Sequence, residues 1–252
     1  MATIPLSWSD PLFSDNVNSG SVTVPNGGTL SNVSITQTGS VASVILRGGA
    51  TLDDIRISSA EGVRIGGSGN ITINDAYIEA TGQPGDHADS IQAYAPGASG
   101  TVTITNTEIV AHSGNATAGM FVADAYTGTF IFDNVVFNGG PYGLRIANDG
   151  PGEDYVSLTN VYFVGPFDYG ALYFQEVNAP IHITHWENVR YATIENGVLV
   201  PGALIQPPWP VEGTTSVAGS LSINDVTISE GNSGTKVATS QSHVAAVRRP
   251  ST

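Results

Sequence analysis

Apolar and polar positions alternate in short bursts along most of this chain. One burst keeps returning: apolar, any residue, Asn or Asp, two further residues, apolar. It reads Leu30–Ile35, Leu52–Ile57, Ile73–Ile78, Ile104–Ile109, Phe132–Phe137 and Leu158–Phe163, and Trp186–Tyr191 adds a seventh copy. The first six markers are Asn32, Asp54, Asp75, Asn106, Asn134 and Asn160, in steps of 22, 21, 31, 28 and 26 residues. Alternation with period two predicts strands rather than helices. A repeat of this length, built from strand-sized pieces, predicts the rungs of a solenoid.

A second strand-like segment lies between successive markers: 43–47, 62–65, 90–94, 119–123, 143–147 and 171–175. Strand side chains alternate faces. The pairs Val63/Ile65, Ile91/Ala93, Met120/Val122, Leu144/Ile146 and Leu172/Phe174 are therefore predicted to point inward. Between them the outward position reads Arg64, Gln92, Phe121, Arg145, Tyr173. Stacked rungs turn these five into one row, with neighbours about 4.8 Å apart.

The rungs differ most in their loops. The longest insertion, 79–89, carries Asp86, His87 and Asp89, and 110–117 carries His112. On the other side of the row run 95–100, 124–127 with Asp124 and Tyr126, and 148–155. Insertions on one face of a solenoid usually make its binding face. The expected result is a groove floored by the outward row, with Tyr94, Tyr142 and Gln175 beside it.

Composition narrows the partners. The chain has 252 residues, 30 Gly, no Cys and a formal net charge of −14, and Lys236 is its only lysine. Nucleic acid is excluded as an expected partner, because phosphate backbones demand clustered cations. An anionic membrane is disfavoured for the same reason. No apolar stretch is long enough to span a bilayer, and the first residues lack the plan of a signal peptide.

The densest chemistry is Asp86-His87-Ala88-Asp89. Carboxylates beside a histidine permit proton transfer when burial moves their pKa values toward neutrality. Asp89 and Asp86 are the first choices for acid/base work, with His87 orienting or sharing the proton. Asp149, Glu153 and Asp154 offer oxygen ligands for Ca²⁺, although no calcium-loop motif accompanies them. There is no zinc-ligand spacing, phosphate-cradling glycine loop or nucleophile elbow.

From about residue 20 to about 200, rung length and the Asn/Asp marker resemble the right-handed parallel β-helix proteins of the pectin-lyase-like superfamily. That resemblance implies an all-β fold of about seven to eight coils, and a carbohydrate-active, secreted, bacterial protein. Asp89, just before an inner strand, resembles the Asp of the polygalacturonase Asn-Thr-Asp motif, in the context His87-Ala88-Asp89. The Gly-His-Gly and Arg-Ile-Lys motifs of that family, and the Asp-Pro-His-Glu signature of the epimerases, are absent. Beyond the Pro-rich stretch 201–210, residues 221–235 resemble the opening strand of a Calx-β domain; Ile223–Ile228 also fits the rung phrase.

The expected organisation is a β-helix over 1–205, a Pro-rich linker or cap over 206–220, and a partial Calx-β-like segment or final coil with a tail over 221–252. Residues 1–20 are expected to cap an end of a monomer. The leading functional expectation is hydrolysis of glycosidic bonds in a polysaccharide lying along the groove. Elimination from a uronate, non-catalytic glycan binding, and an adhesin-like scaffold remain open alternatives.

Overall fold

The computed structural model of the protein describes residues 4–13, 17–18, 20–39, 41–112 and 114–213, and the backbone of 220–223 and 242–245. The chain divides into two compact units, Met1–Glu212 and Gly213–Thr252.

The first unit is a parallel β-solenoid. Odd strands of the chain stack into one sheet and even strands into another. The long sheet runs Val17–Asn18, Gly28–Gln37, Ala50–Ser59, Ile71–Ala80, Ser99–Ala111, Thr127–Asn138 and Asp154–Val164 in spatial order. The short sheet runs Val22–Val24, Val44–Leu46, Val63–Ile65, Ala88–Tyr94, Ala116–Ala123, Tyr142–Asn148 and Gly170–Glu176. Pairing is parallel through both stacks, and among the described residues of this unit only the closing hairpin of Arg190–Glu195 with Val198–Leu204 is antiparallel.

The marker residue explains the corner in each long strand. Asn32, Asp54, Asp75, Asn106, Asn134, Asn160 and Asn188 all have positive φ, between 48° and 59°. A left-handed residue breaks the alternation, so Leu52 and Ile55 both face inward although three positions separate them. Asn and Asp tolerate this conformation better than other side chains that carry a Cβ. The Asn residues also bond along the stack: Asn134 Nδ2 donates to Asn106 Oδ1 at 2.9 Å, and Asn188 Nδ2 to Asn160 Oδ1 at 2.8 Å. Replacing Asn134 with Ala should therefore cost about 1–3 kcal/mol, by strain plus a lost hydrogen bond. Gly at the same position removes the strain alone, so chemical denaturation should rank wild type above Asn134→Gly, and that above Asn134→Ala.

Inside, like stacks on like. Leu52, Ile73, Ile104, Phe132 and Leu158 form one fully buried row. In a second row the rings of Phe137 and Phe163 lie 5.2 Å apart and 9° from parallel.

Two terminal segments close the unit. The segment 4–13 lies against the outer side of the long sheet, where Trp8 covers the Arg56 guanidinium at 4.6 Å and its carbonyl accepts from Arg56. Residues 1–20 were expected at an end; Val17–Asn18 does form the end strand of the long sheet, while 4–13 covers a flank, where Arg56 and Glu108 give it polar anchors. At the other terminus the Pro-rich stretch acts as a cap as far as Glu212. Trp186 Nε1 donates to the Ile205 carbonyl at 2.9 Å, and Trp209 stacks on Phe174 at 6.1 Å.

In the second unit, Ser220–Ile223 pairs with Ser242–Ala245 in antiparallel fashion, unlike any rung. Residues 224–241, which hold most of the Calx-β-like phrase, lie outside the described residues.

Candidate functional site

Register makes the outward row real. Arg64 pairs with Gln92, Gln92 with Phe121, Phe121 with Arg145, and Arg145 with Tyr173. Each sits on the short sheet between two inward-facing residues, so the row is continuous over five rungs.

Side chains along the row engage one another. Arg64 forms a forked ion pair with Glu61, Nε to Oε1 at 2.9 Å and Nη2 to Oε2 at 2.8 Å. The same guanidinium lies 5.3 Å from the Tyr94 ring. Burial raises the Glu61 carboxyl, and Arg64 pulls it back down. Arg145 has no carboxylate partner among the described residues. It lies 4.3 Å over Phe121, 5.5 Å from Tyr142 and 5.7 Å from Tyr173. Tyr142 stacks on Tyr173 at 5.3 Å and meets Tyr169 at the same distance. The result is a cation held by aromatic faces, an arrangement favoured by the ring quadrupoles.

Loops from three rungs build a wall beside this row. The 79–89 insertion presses on the next loop so closely that a Cβ at Gly82 would lie 2.3 Å from the Asn115 carbonyl oxygen. The 164–170 loop is tied to the preceding turn by Tyr169 N donating to Pro141 O at 3.0 Å. Between them opens a cleft of about 430 Å³ lined by Asp86, His87, Thr117, Tyr142, Arg145, Asp168 and Tyr169. A second cleft of about 280 Å³, with Glu61, Arg64, Gln92 and Tyr94, shares Asp86 and His87 as its wall.

Three sequence expectations need correction. Asp89 does not reach the groove: it is fully buried, and neither carboxyl oxygen has a well-aligned hydrogen-bond partner. Burial pushes this carboxyl well above the ordinary range, against the Ala118 amide, with Glu61 adding to the rise while Arg145 and Arg64 oppose it. Tyr126 is fully buried rather than at the groove. Asp124 and Ala125 before it both take left-handed conformations, with φ of 56° and 58°, which turns the ring into the core against Phe130. Burial, with Asp154 nearby, raises its hydroxyl to about 12.

The proposed calcium trio is also dispersed. Asp149 accepts from the amides of Asp124 and Ala125 at 3.2 and 2.7 Å, Glu153 accepts from the Tyr155 hydroxyl at 2.7 Å, and Asp154 is buried. Another acidic group, Asp53, Asp54 and Asp75, has carboxylate oxygens within 4.8 Å of one another. There the Asn74 amide donates to Asp53 and to Asp75, both at 2.8 Å, and holds those oxygens within the turn ladder.

Of the remaining expected residues, Gln92, Phe121 and Tyr173 lie in the row, Tyr94 and Tyr142 beside it, and Gln175 at its exposed end. Asp124 stands at the far border, its carboxyl raised by burial and then by Asp149. Sequence reading missed Asp168 and Tyr169, which the short 164–170 loop brings to the cleft. No protein family matches this chain, and no curated protein or solved structure is similar to it by comparison.

Proposed function

We propose that this chain binds a polysaccharide along the short-sheet groove and hydrolyses its glycosidic bonds at the larger cleft. The observation that carries this reading is the pairing of two carboxylates, Asp86 and Asp168, with the Arg145–aromatic stack in one cleft. Hydrolysis of this bond needs one carboxyl group to protonate the leaving oxygen and a second to activate water or attack the sugar. Asp86 and Asp168 take those roles, and His87 stands beside Asp86 to share or orient a proton. Tyr94, Tyr169 and Tyr173 expose ring surface for sugar faces, while Gln92 and Arg145 donate to hydroxyl oxygens.

A binding-only reading has its own support. Asp89, whose carboxyl burial pushes far upward, lies beneath the groove and is sealed from substrate, and the exposed tyrosines alone suffice for glycan contact.

Purified protein incubated with a polysaccharide panel separates the readings. Hydrolysis releases reducing ends with no near-ultraviolet absorbance. Elimination produces an unsaturated sugar that absorbs there. Retention on glycan without either product supports the binding module, and absence of both binding and products removes the carbohydrate reading.

A further inference from the structure

The charge of the glycan follows from how the groove spends its cations. The row holds two guanidinium groups, Arg64 and Arg145. Arg64 is committed to Glu61 through both arms of its fork. Among the described residues Arg145 has no carboxylate partner, and it is flanked by three aromatic rings. Against it stand Asp86 and Asp168, which line the larger cleft, Asp86 lining the second as well. Elsewhere Arg56 is held by Trp8, and Arg190 by Asn188 and Gly202.

A polyanion lying across rungs about 4.8 Å apart would need a cation at several successive rungs. It would instead face carboxylates, whose repulsion at close range is costly when water is excluded. Carboxylates lining a cleft need donors, and sugar hydroxyls supply them whereas a uronate carboxylate does not. The exposed tyrosine faces add contact area that asks for no charge. We infer that the groove is built for a neutral polysaccharide, rich in free hydroxyls, and discriminates against polyuronates. This inference rests on the glycan reading of the same groove.

The test uses matched pairs: polygalacturonate and polymannuronate, each against its own carboxyl-reduced form, which keeps the linkage and length and loses only the charge. Affinity is measured at low and at high salt. The reduced form should bind about three- to tenfold more tightly, and the gap should shrink as salt screens the repulsion. Glu61→Gln, which releases Arg64, should narrow the gap about threefold. Tighter binding of either acid form, or binding of it that weakens with salt, overturns the inference while leaving the glycan reading intact. An unchanged gap in Glu61→Gln overturns the electrostatic account on which it stands. If no member of any pair binds, the glycan reading falls and takes this inference with it.

Discussion

Replacing Asp86 or Asp168 with Asn should lower glycosidic-bond cleavage by roughly 10²–10⁴-fold, while glycan affinity changes by only a few-fold. Both side chains line the larger cleft, and Asn keeps their size while removing the ability to give or take the proton. Asp89→Asn is the informative comparison. Its carboxyl is sealed from the cleft and burial pushes its pKa upward, so an amide of the same shape should leave turnover nearly unaltered. Sequence reasoning put Asp89 and Asp86 together first for acid/base work; Asp86 lines the cleft, whereas Asp89 is buried behind it. Steady-state rates of the three variants decide between these rankings. Loss of activity in Asp89→Asn, with Asp86→Asn and Asp168→Asn silent, would sink the assignment made here.

That contrast marks where the sequence stops being legible. The markers at Asn32 through Asn188 could be found because a left-handed corner selects Asn or Asp wherever a Cβ is present. The row from Arg64 to Tyr173 could be found because strand alternation is strict and rungs stack in register. Neither rule reaches across loops. Asp168 and Asp86 line one cleft because the loops of neighbouring rungs pack against each other, as at Gly82 and Asn115. Tyr126 was misplaced because two consecutive left-handed residues, Asp124 and Ala125, turn the chain in a way alternation does not encode. Asp154 was read as a loop acid because the acidic run 153–154 hides the start of a strand whose first side chain faces the core. The flank cover by residues 4–13 has no periodic signature, since its anchors are single polar contacts to Arg56 and Glu108 and scattered apolar side chains, Ile4, Leu6 and Phe13.

Those buried acids lead to the other large expected effect, a fold that is more stable in mild acid than in mild base. Asp154 is fully buried, Gly128 N donates to its Oδ1 at 2.9 Å, and Oδ2 has no partner. Glu108 is almost fully buried, with Asn138 donating to Oε1 at 2.9 Å and Oε2 left open. Burial raises both carboxyls, Asp154 from 3.8 to about 7 and Glu108 from 4.5 to about 7. The folded state therefore keeps protons that the unfolded chain releases near its ordinary values. Their contribution is fully present below about pH 4 and declines as pH rises toward 7, by about 1.4 kcal/mol per pH unit for each group. Asp89 shifts in the same direction. Self-repulsion from a net charge of −14 also grows as pH rises through the carboxylate range. Together these should make the unfolding free energy several kcal/mol lower at pH 8 than near pH 4.5, with denaturant midpoints falling accordingly. Asp154→Asn and Glu108→Gln retain an acceptor for Gly128 and Asn138 while removing the titration, so the double variant should show a flatter profile and gain on the wild type above pH 7. A wild-type midpoint that rises steadily from pH 5 to pH 8 would mean that these carboxyls reach water or a cation in solution. The solenoid interior would then be more polar than its burial indicates.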